Sequence, residues 1–488
     1  MPFLSAIMIS LCKLKPIKPS LYGGLLTLIC TALFFTSVQN YNGSILLFTV
    51  FSFVYLILLF SGIKKNTTYG YMFFAIVMWL GFWLKTVIHL ILNYPFVEPI
   101  GLFIGSPREW DQTLFVATVG AIGIIAGRVF YGLMFNNPIE TKLIDTTYSA
   151  PDWYMPKKHL LWAILIICII SFATLNIIFS FQQIGLVPKT KIWPLNAIFS
   201  WLLSTGFAMA TVTLLWWEIL ISPKSKNALY LVLFEAAVSS VSLLSRGLYI
   251  FHSVPLLTFA FVNRKRINNF NLKWMLFLIF SFTAILLVSY ILVNAIRDYY
   301  YSAAPFSDLT ALHLNSFELV KRLSIKLAAF SVDRWIGIEG LMATVAHPEK
   351  SISLLISAIT EKGEIGKISL FQNISLSHYR YSDLTKFIFA SLPGPMSFFY
   401  FSGLSIFVFA GMTFVSLIVL VSERLVYKFL HNPLLTAFWG GFVASNFSQM
   451  GVDIPRFFFN FLLCILGIIF LYFIQNHLTA IANFLKNR

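Results

Sequence analysis

Apolar residues in this chain come in long unbroken runs, not in the alternating or striped patterns of water-soluble elements. A run of about 20 apolar residues is enough to cross a bilayer as a helix. The runs predict spans at 21–38, 44–63, 70–93, 113–135, 159–180, 192–221, 228–245, 247–262, 273–296, 396–421, 434–451 and 456–475. Strand-like alternation with regular turns is absent, which favours helices over a barrel. The seventh and eighth spans abut at Ser245-Arg246-Gly247, and the eighth is short. The expected fold is an all-α polytopic membrane protein with about 12 transmembrane helices and one long, partly helical periplasmic or extracellular loop. The expected parts are an N-terminal bundle over 1–296, the outer loop over 297–395 and a C-terminal bundle over 396–488.

The long loop has its own pattern. Phe317–Ala346 carries Leu319, Leu323, Leu327, Phe330, Ile338, Leu341 and Val345 at the 3-and-4 spacing of an amphipathic helix. Such a helix lies on the outer membrane interface or caps the bundle. Gly337 and Gly340 are the places where it breaks.

Composition agrees with the runs. Hydrophobic residues make up 58% of the chain and charged residues 11%, with mean hydropathy +0.81. A soluble domain is about a quarter charged, so a water-soluble enzyme and a disordered chain are both excluded. The net charge of +16 points to orientation, not to nucleic acid. Eighteen Lys and Arg residues fall in one set of alternate loops, while the short loops of the other set receive Arg108, Lys189 and Lys191, with Arg456 at a helix edge. That bias places both termini in the cytoplasm and the segment 297–395 outside. Pro2–Cys12 precedes its basic residues, the reverse of a cleavable signal peptide, and predicts a short interfacial helix. Cys30, Cys168 and Cys464 sit in apolar runs and no CxxC spacing occurs.

Several chemistries leave no trace in the sequence. There is no GxxxxGK[ST], no HExxH and no DxD, so neither a P-loop, a catalytic metal nor a metal-held nucleotide-sugar is expected, and no cofactor is. A transferase of this composition would use an already activated, lipid-linked donor. Charges within or beside spans are the informative residues, because each costs a few kcal/mol on insertion scales. Glu218 and Arg128 lie near cytoplasmic ends, where snorkelling accounts for them. Lys85 and Glu235 lie mid-span and read as partners in buried ion pairs. Arg246, Arg297, Arg334, Arg380 and Arg456 all fall on the outer side in the expected topology. Guanidinium groups are permanently charged and forked, which suits a diphosphate, and five of them around one hollow would form an anion site. Asp333, Glu339, His378, Asp383 and Asp453 are candidate bases for a sugar hydroxyl, with Glu339, His378 and Asp383 as the expected catalytic set. Trp335, Tyr379 and Tyr381 are candidate stacking surfaces for sugar rings.

Ser245-Arg246-Gly247 at the start of an apolar helix resembles the SRG signature of the O-antigen polymerase and ligase superfamily. The layout of spans, cytoplasmic termini and one long outer loop is similar too. Arg334-Trp335 followed by His347-Pro348 is similar to that family's arginine and tryptophan ahead of a His-Pro pair. The local motifs cover 240–262 and 330–350. The resemblance implies a metal-independent GT-C type glycosyltransferase in the bacterial cytoplasmic membrane, serving O-antigen, capsule or exopolysaccharide synthesis. Its implied substrate is an undecaprenyl-diphosphate-linked oligosaccharide, with membrane lipid as a further partner and room for a chain-length regulator protein. It assigns the diphosphate to Arg246 and Arg334, whereas Arg297, Arg380 and Arg456 rest on topology alone. Pro348-Glu-Lys-Ser stands where a ligase-type chain carries a glycine-rich stretch, which favours a polymerase over a ligase. A flippase or other transporter of lipid-linked oligosaccharides and a scaffold protein are the alternatives. No inverted repeat is visible, which weighs against a transporter.

The charge count makes a direct prediction. Green fluorescent protein fused to either terminus should fluoresce, and alkaline phosphatase fused there should be inactive. Active phosphatase at either end would contradict the assigned orientation.

Overall fold

A computed structural model describes residues 21–486 other than 65–66, 136–148, 191, 193, 223–227, 264–271, 302–331 and 334. The expected interfacial helix before residue 13, the stripe from Leu319 to Phe330 and Arg334 lie outside the described residues. Among those described the protein is helical, and its one β-bridge joins Leu186 to Phe387.

The helices follow the apolar runs closely. They are α1 (Leu21–Val38), α2 (Ile45–Ile63), α3 (Tyr69–Leu92), α4 (Pro107–Met134), α5 (Tyr154–Phe179) and α6 (Leu195–Ile221). Then come α7 (Ala228–Ser242), α8 (Leu248–Asn263) and α9 (Leu272–Tyr301). After the undescribed stretch the chain forms α10 (Ile338–Ala346), α11 (Ile352–Thr360), α12 (Leu370–Ile374) and α13 (Pro395–Tyr400). The last three are α14 (Ser405–Leu430), α15 (Pro433–Ser448) and α16 (Ile454–Lys486). Eight helices are long and apolar enough to span a membrane, and α1, α7 and α8 are shorter apolar helices. The protein is therefore a multi-pass helical membrane protein.

Two expectations change. The span predicted at 396–421 is two helices, α13 and α14, separated by a turn in which Gly403 adopts φ +75° against Lys350. The helix predicted over 317–346 does not lie on an interface at its described end. It restarts at Ile338 after Gly337, and Ile338–Val345 are buried on every side. Gly340 does not break this helix but sits within it, where an added Cβ would lie 2.1 Å from the Pro393 carbonyl oxygen.

The core is assembled by close helix approaches. α4 packs on α14 through small residues: a Cβ on Gly123 would lie 2.6 Å from the Phe409 carbonyl oxygen, and one on Gly127 2.7 Å from that of Thr413. Thr413 and Ser416 fill the seam by donating their hydroxyls to the carbonyls of Gly123 and Ile124, at 3.1 and 3.0 Å. Where lipid supplies no hydrophobic drive between helices, such packing and hydrogen bonding hold them together. At the other end of α14, the buried Glu423 carboxylate accepts the backbone N–H groups of Tyr69 and Gly70, at 2.9 and 2.5 Å. It satisfies N–H groups that the first turn of α3 cannot, and its charge suits a helix N-terminus.

α3 is the helix that positions the site. Its middle, Trp79–Leu84, is a π turn. This wider turn holds Gly81 against the chain just before α10, where a Cβ on Gly81 would lie 2.4 Å from the Ile336 carbonyl oxygen. A Gly81→Ala variant should push these two backbones apart and cost about 1–3 kcal/mol, the usual range for overpacking. A thermal melt in detergent checks this, and an unchanged melt would contradict the described approach.

Candidate functional site

Beyond the π turn, α3 presents Lys85 and His89 on one face, a helical turn apart. Both are buried. The Lys85 ammonium has three N–H groups and each has an acceptor. It donates to Glu339 Oε1 at 2.7 Å, to the Asp333 carbonyl at 2.9 Å and to the Trp335 carbonyl at 2.5 Å. One cation thus pins both the backbone of 333–335 and the first turn of α10. Burial pushes the Glu339 carboxyl above its ordinary range, and Lys85 offsets part of that shift.

His89 is held between the Tyr94 and Phe96 rings, with both centroids at 4.0 Å. Its Nδ1 faces the Tyr94 carbonyl oxygen at 3.1 Å and its Nε2 faces Asp333 Oδ1 at 2.8 Å. The Tyr94 hydroxyl donates to the same Oδ1 at 2.9 Å. Burial, then Asp333, raises the phenol of Tyr94, so it keeps its proton and donates. The second Asp333 oxygen, Oδ2, is buried with no hydrogen-bond partner.

These residues wall a cavity of about 320 Å³. Asp333, Trp335, Gly337 and Glu339 form one side, and Gly247, Ile250 and Phe251 from α8 another. Glu98, Phe371, Ser391, Ser448 and Gln449 complete the polar and aromatic rim, while Val77 and Leu286 form apolar wall. Loop 185–187 braces the segment before α13, with Val187 donating to the Lys386 carbonyl and Ile388 to that of Gly185, at 3.0 and 3.1 Å.

Of the expected catalytic set, Glu339 lines the cavity and is already committed to Lys85. His378 and Asp383 are exposed, on and just beyond the short 3-10 turn His378–Tyr381. Neither lines the cavity. Asp383 is held below its usual range by the Thr385 hydroxyl and N–H, which ties it into its own turn. The expected gathering of arginines around one hollow is not seen among the described residues. Arg297 turns back to donate to the Leu244 carbonyl at 2.9 Å. Arg380 lies 5.2 Å from the Tyr381 ring, and Arg456 is exposed at the start of α16. Each has a local acceptor, ring or solvent, so nothing forces these three together. Arg246 is different. It directly precedes Gly247 on the cavity wall, and its Nε is buried without a partner. Trp335 lines the cavity, whereas Tyr379 stacks on Phe389 and Tyr381 points to solvent. His347 ends α10, its carbonyl accepting from Lys350, outside the cavity lining.

The other buried charges also have partners. Glu235 on α7 meets His252 Nδ1 on α8 at 3.1 Å and accepts from Ser239 at 2.9 Å. His252 Nε2 faces the Ser204 carbonyl at 2.9 Å, within the π turn Leu202–Gly206 of α6. Glu218 does not snorkel but accepts from Lys158 and Tyr154, at 3.2 and 3.3 Å. Arg128 is likewise engaged, by the Ser61 carbonyl, the Thr67 hydroxyl and the Tyr71 ring.

The fold and these buried pairs define a polytopic helical membrane protein with a polar cavity set against apolar helices. Compared with known proteins, the chain matches no family model, no curated protein and no solved structure.

The Lys85–Glu339 pair sets a stability test. Lys85→Met or Glu339→Leu alone leaves a buried charge without its partner and should cost about 3–5 kcal/mol. The double variant should cost clearly less than the sum of the two. Thermal unfolding in detergent checks the cycle, and strict additivity would contradict a direct pair.

Proposed function

We propose that this chain is a polymerase of polyprenyl-diphosphate-linked oligosaccharide repeat units. It would be a membrane glycosyltransferase that passes glycan between lipid carriers on the outer face of the bacterial cytoplasmic membrane. The observation that carries this reading is the meeting of two distant segments at one cavity. Gly247 of Ser245-Arg246-Gly247 lines it, and so do Asp333 and Trp335, the residues on either side of Arg334. Those are the two places where the sequence resembles the O-antigen polymerase and ligase superfamily. The helix ends that frame the cavity, from α3, α8 and α15, are also the ends that the charge count assigns to the non-cytoplasmic side.

The chemistry follows from this arrangement. Arg246 and Arg334 hold the donor diphosphate and stabilise the charge that grows as it leaves. Apolar wall and the lipid-facing helices accept the prenyl chain. Trp335 offers a ring face to a sugar, and the rigid 333–340 segment fixes where the acceptor glycan sits. The activated diphosphate supplies the driving force.

A flippase of lipid-linked oligosaccharides is the second reading, favoured by the two His–carboxylate pairs buried among apolar helices. One experiment separates the readings. Arg246→Ala and Arg334→Ala, each checked for insertion, should lower polymerisation about 100-fold or more. The surface polysaccharide would then lose its long-chain ladder on a gel and keep single repeats. Lipid-linked repeats trapped on the cytoplasmic face would mark a flippase, and an unaltered ladder in both variants would contradict the diphosphate assignment.

A further inference from the structure

Asp333 is a buried carboxylate with one oxygen held and the other left open. Its side chain is 7% exposed. Oδ1 receives the Tyr94 hydroxyl and faces His89, while Oδ2 is enclosed, has no partner, and belongs to a residue on the cavity wall. An unsatisfied carboxylate oxygen away from water is costly, so a ligand that brings a donor to it gains that deficit back.

The hydrogen-bond pattern also fixes a proton count. His89 Nδ1 faces a backbone carbonyl, so Nδ1 carries hydrogen. A neutral imidazole would then point a lone pair at Asp333 Oδ1, which is unfavourable against a carboxylate. The contact is favourable only with a proton between the two, as imidazolium with carboxylate or as imidazole with carboxylic acid. Together with the Lys85–Glu339 pair the cluster is then neutral.

We propose that Asp333 is the catalytic base of glycosyl transfer, accepting through Oδ2 the hydroxyl proton of the lipid-linked acceptor sugar, with His89 and Tyr94 as positioning residues. The inference rests on the polymerase reading. As the acceptor oxygen bonds to the anomeric carbon of the donor, the bond from that carbon to the diphosphate oxygen breaks. The diphosphate leaves with the electron pair, and the hydroxyl proton passes to Oδ2. If the shared proton begins on Oδ1, it moves to His89 Nε2 in the same step. Either start ends with a protonated Asp333 beside an imidazolium. The cluster gains one positive charge as the leaving diphosphate gains one negative charge. Glu339 is then a structural partner of Lys85 and not the base.

The test uses the full chain reconstituted in vesicles of bacterial phospholipid, with undecaprenyl-diphosphate-linked repeat unit extracted from the host as the probe. Turnover and retention of the radiolabelled probe are read separately. Asp333→Asn should lower turnover about 100-fold or more, the usual worth of a positioned base, while retaining the probe. Asp333→Glu should recover part of the rate. Tyr94→Phe removes a donor to the charged carboxylate, so the acid limb of the rate profile should move to higher pH. The groups facing Asp333 in that profile are Lys85 and His89 on α3, Tyr94 and Glu98 in the loop after it, and Glu339 on α10. Wild-type turnover by Asp333→Asn would overturn the inference and leave the polymerase reading standing. If Asp333→Asn fails to insert, Tyr94→Phe decides alone, and an unshifted acid limb overturns the inference. Failure of the wild-type chain to polymerise the probe would overturn both.

Discussion

The ammonium of Lys85 is the constraint on which the site depends. A buried cation must have every N–H met, and here the three acceptors come from Asp333, Trp335 and Glu339. Meeting them fixes the path of the chain as it enters α10. That path needs the π turn of α3 and the bare backbone at Gly81, because any side chain there would collide with Ile336. The same path carries Asp333 to His89 and Trp335 to the cavity. A charge that is expensive inside an apolar bundle thus serves as the fixing point for a segment that composition alone would leave outside it.

Much of the fold was legible because bilayer thickness imposes run lengths that a sequence displays directly. Helices α2 to α9 lie close to the apolar runs, and the weak joint at Ser245-Arg246-Gly247 is the break between α7 and α8. The misread places share a physical cause. An apolar run does not show a tight turn in its interior, so the break at Phe401–Leu404 was hidden within 396–421. A stripe of apolar residues does not say whether lipid or protein covers it, so the burial of α10 on every side was not visible.

The site was legible in part. Lys85 and Glu235 stood out as mid-span charges, and ion pairing was the expected reading for both. Their partners were not readable, because Glu339 and His252 are far from them in sequence or carry no local signal. His89 and Tyr94 were missed altogether. The spacing of Lys85 and His89 by four residues on a predicted helix was the one available clue. Arginines were over-weighted because sequence shows charge and side of the membrane but not direction. Arg297, Arg380 and Arg456 each find a local acceptor, ring or solvent, while Arg246 keeps a buried Nε beside the cavity.

The account stands on one cavity serving as the seat of a lipid-linked glycan. The most direct measurement is photocrosslinking with an undecaprenyl-diphosphate glycan that carries a diazirine on its first sugar, followed by peptide mapping. The account predicts adducts within 247–251, 333–340 and 448–449, lost when unlabelled lipid-linked glycan is added in excess. Adducts confined to the Glu235–His252 region, or spread evenly over the lipid-facing helices, would contradict it.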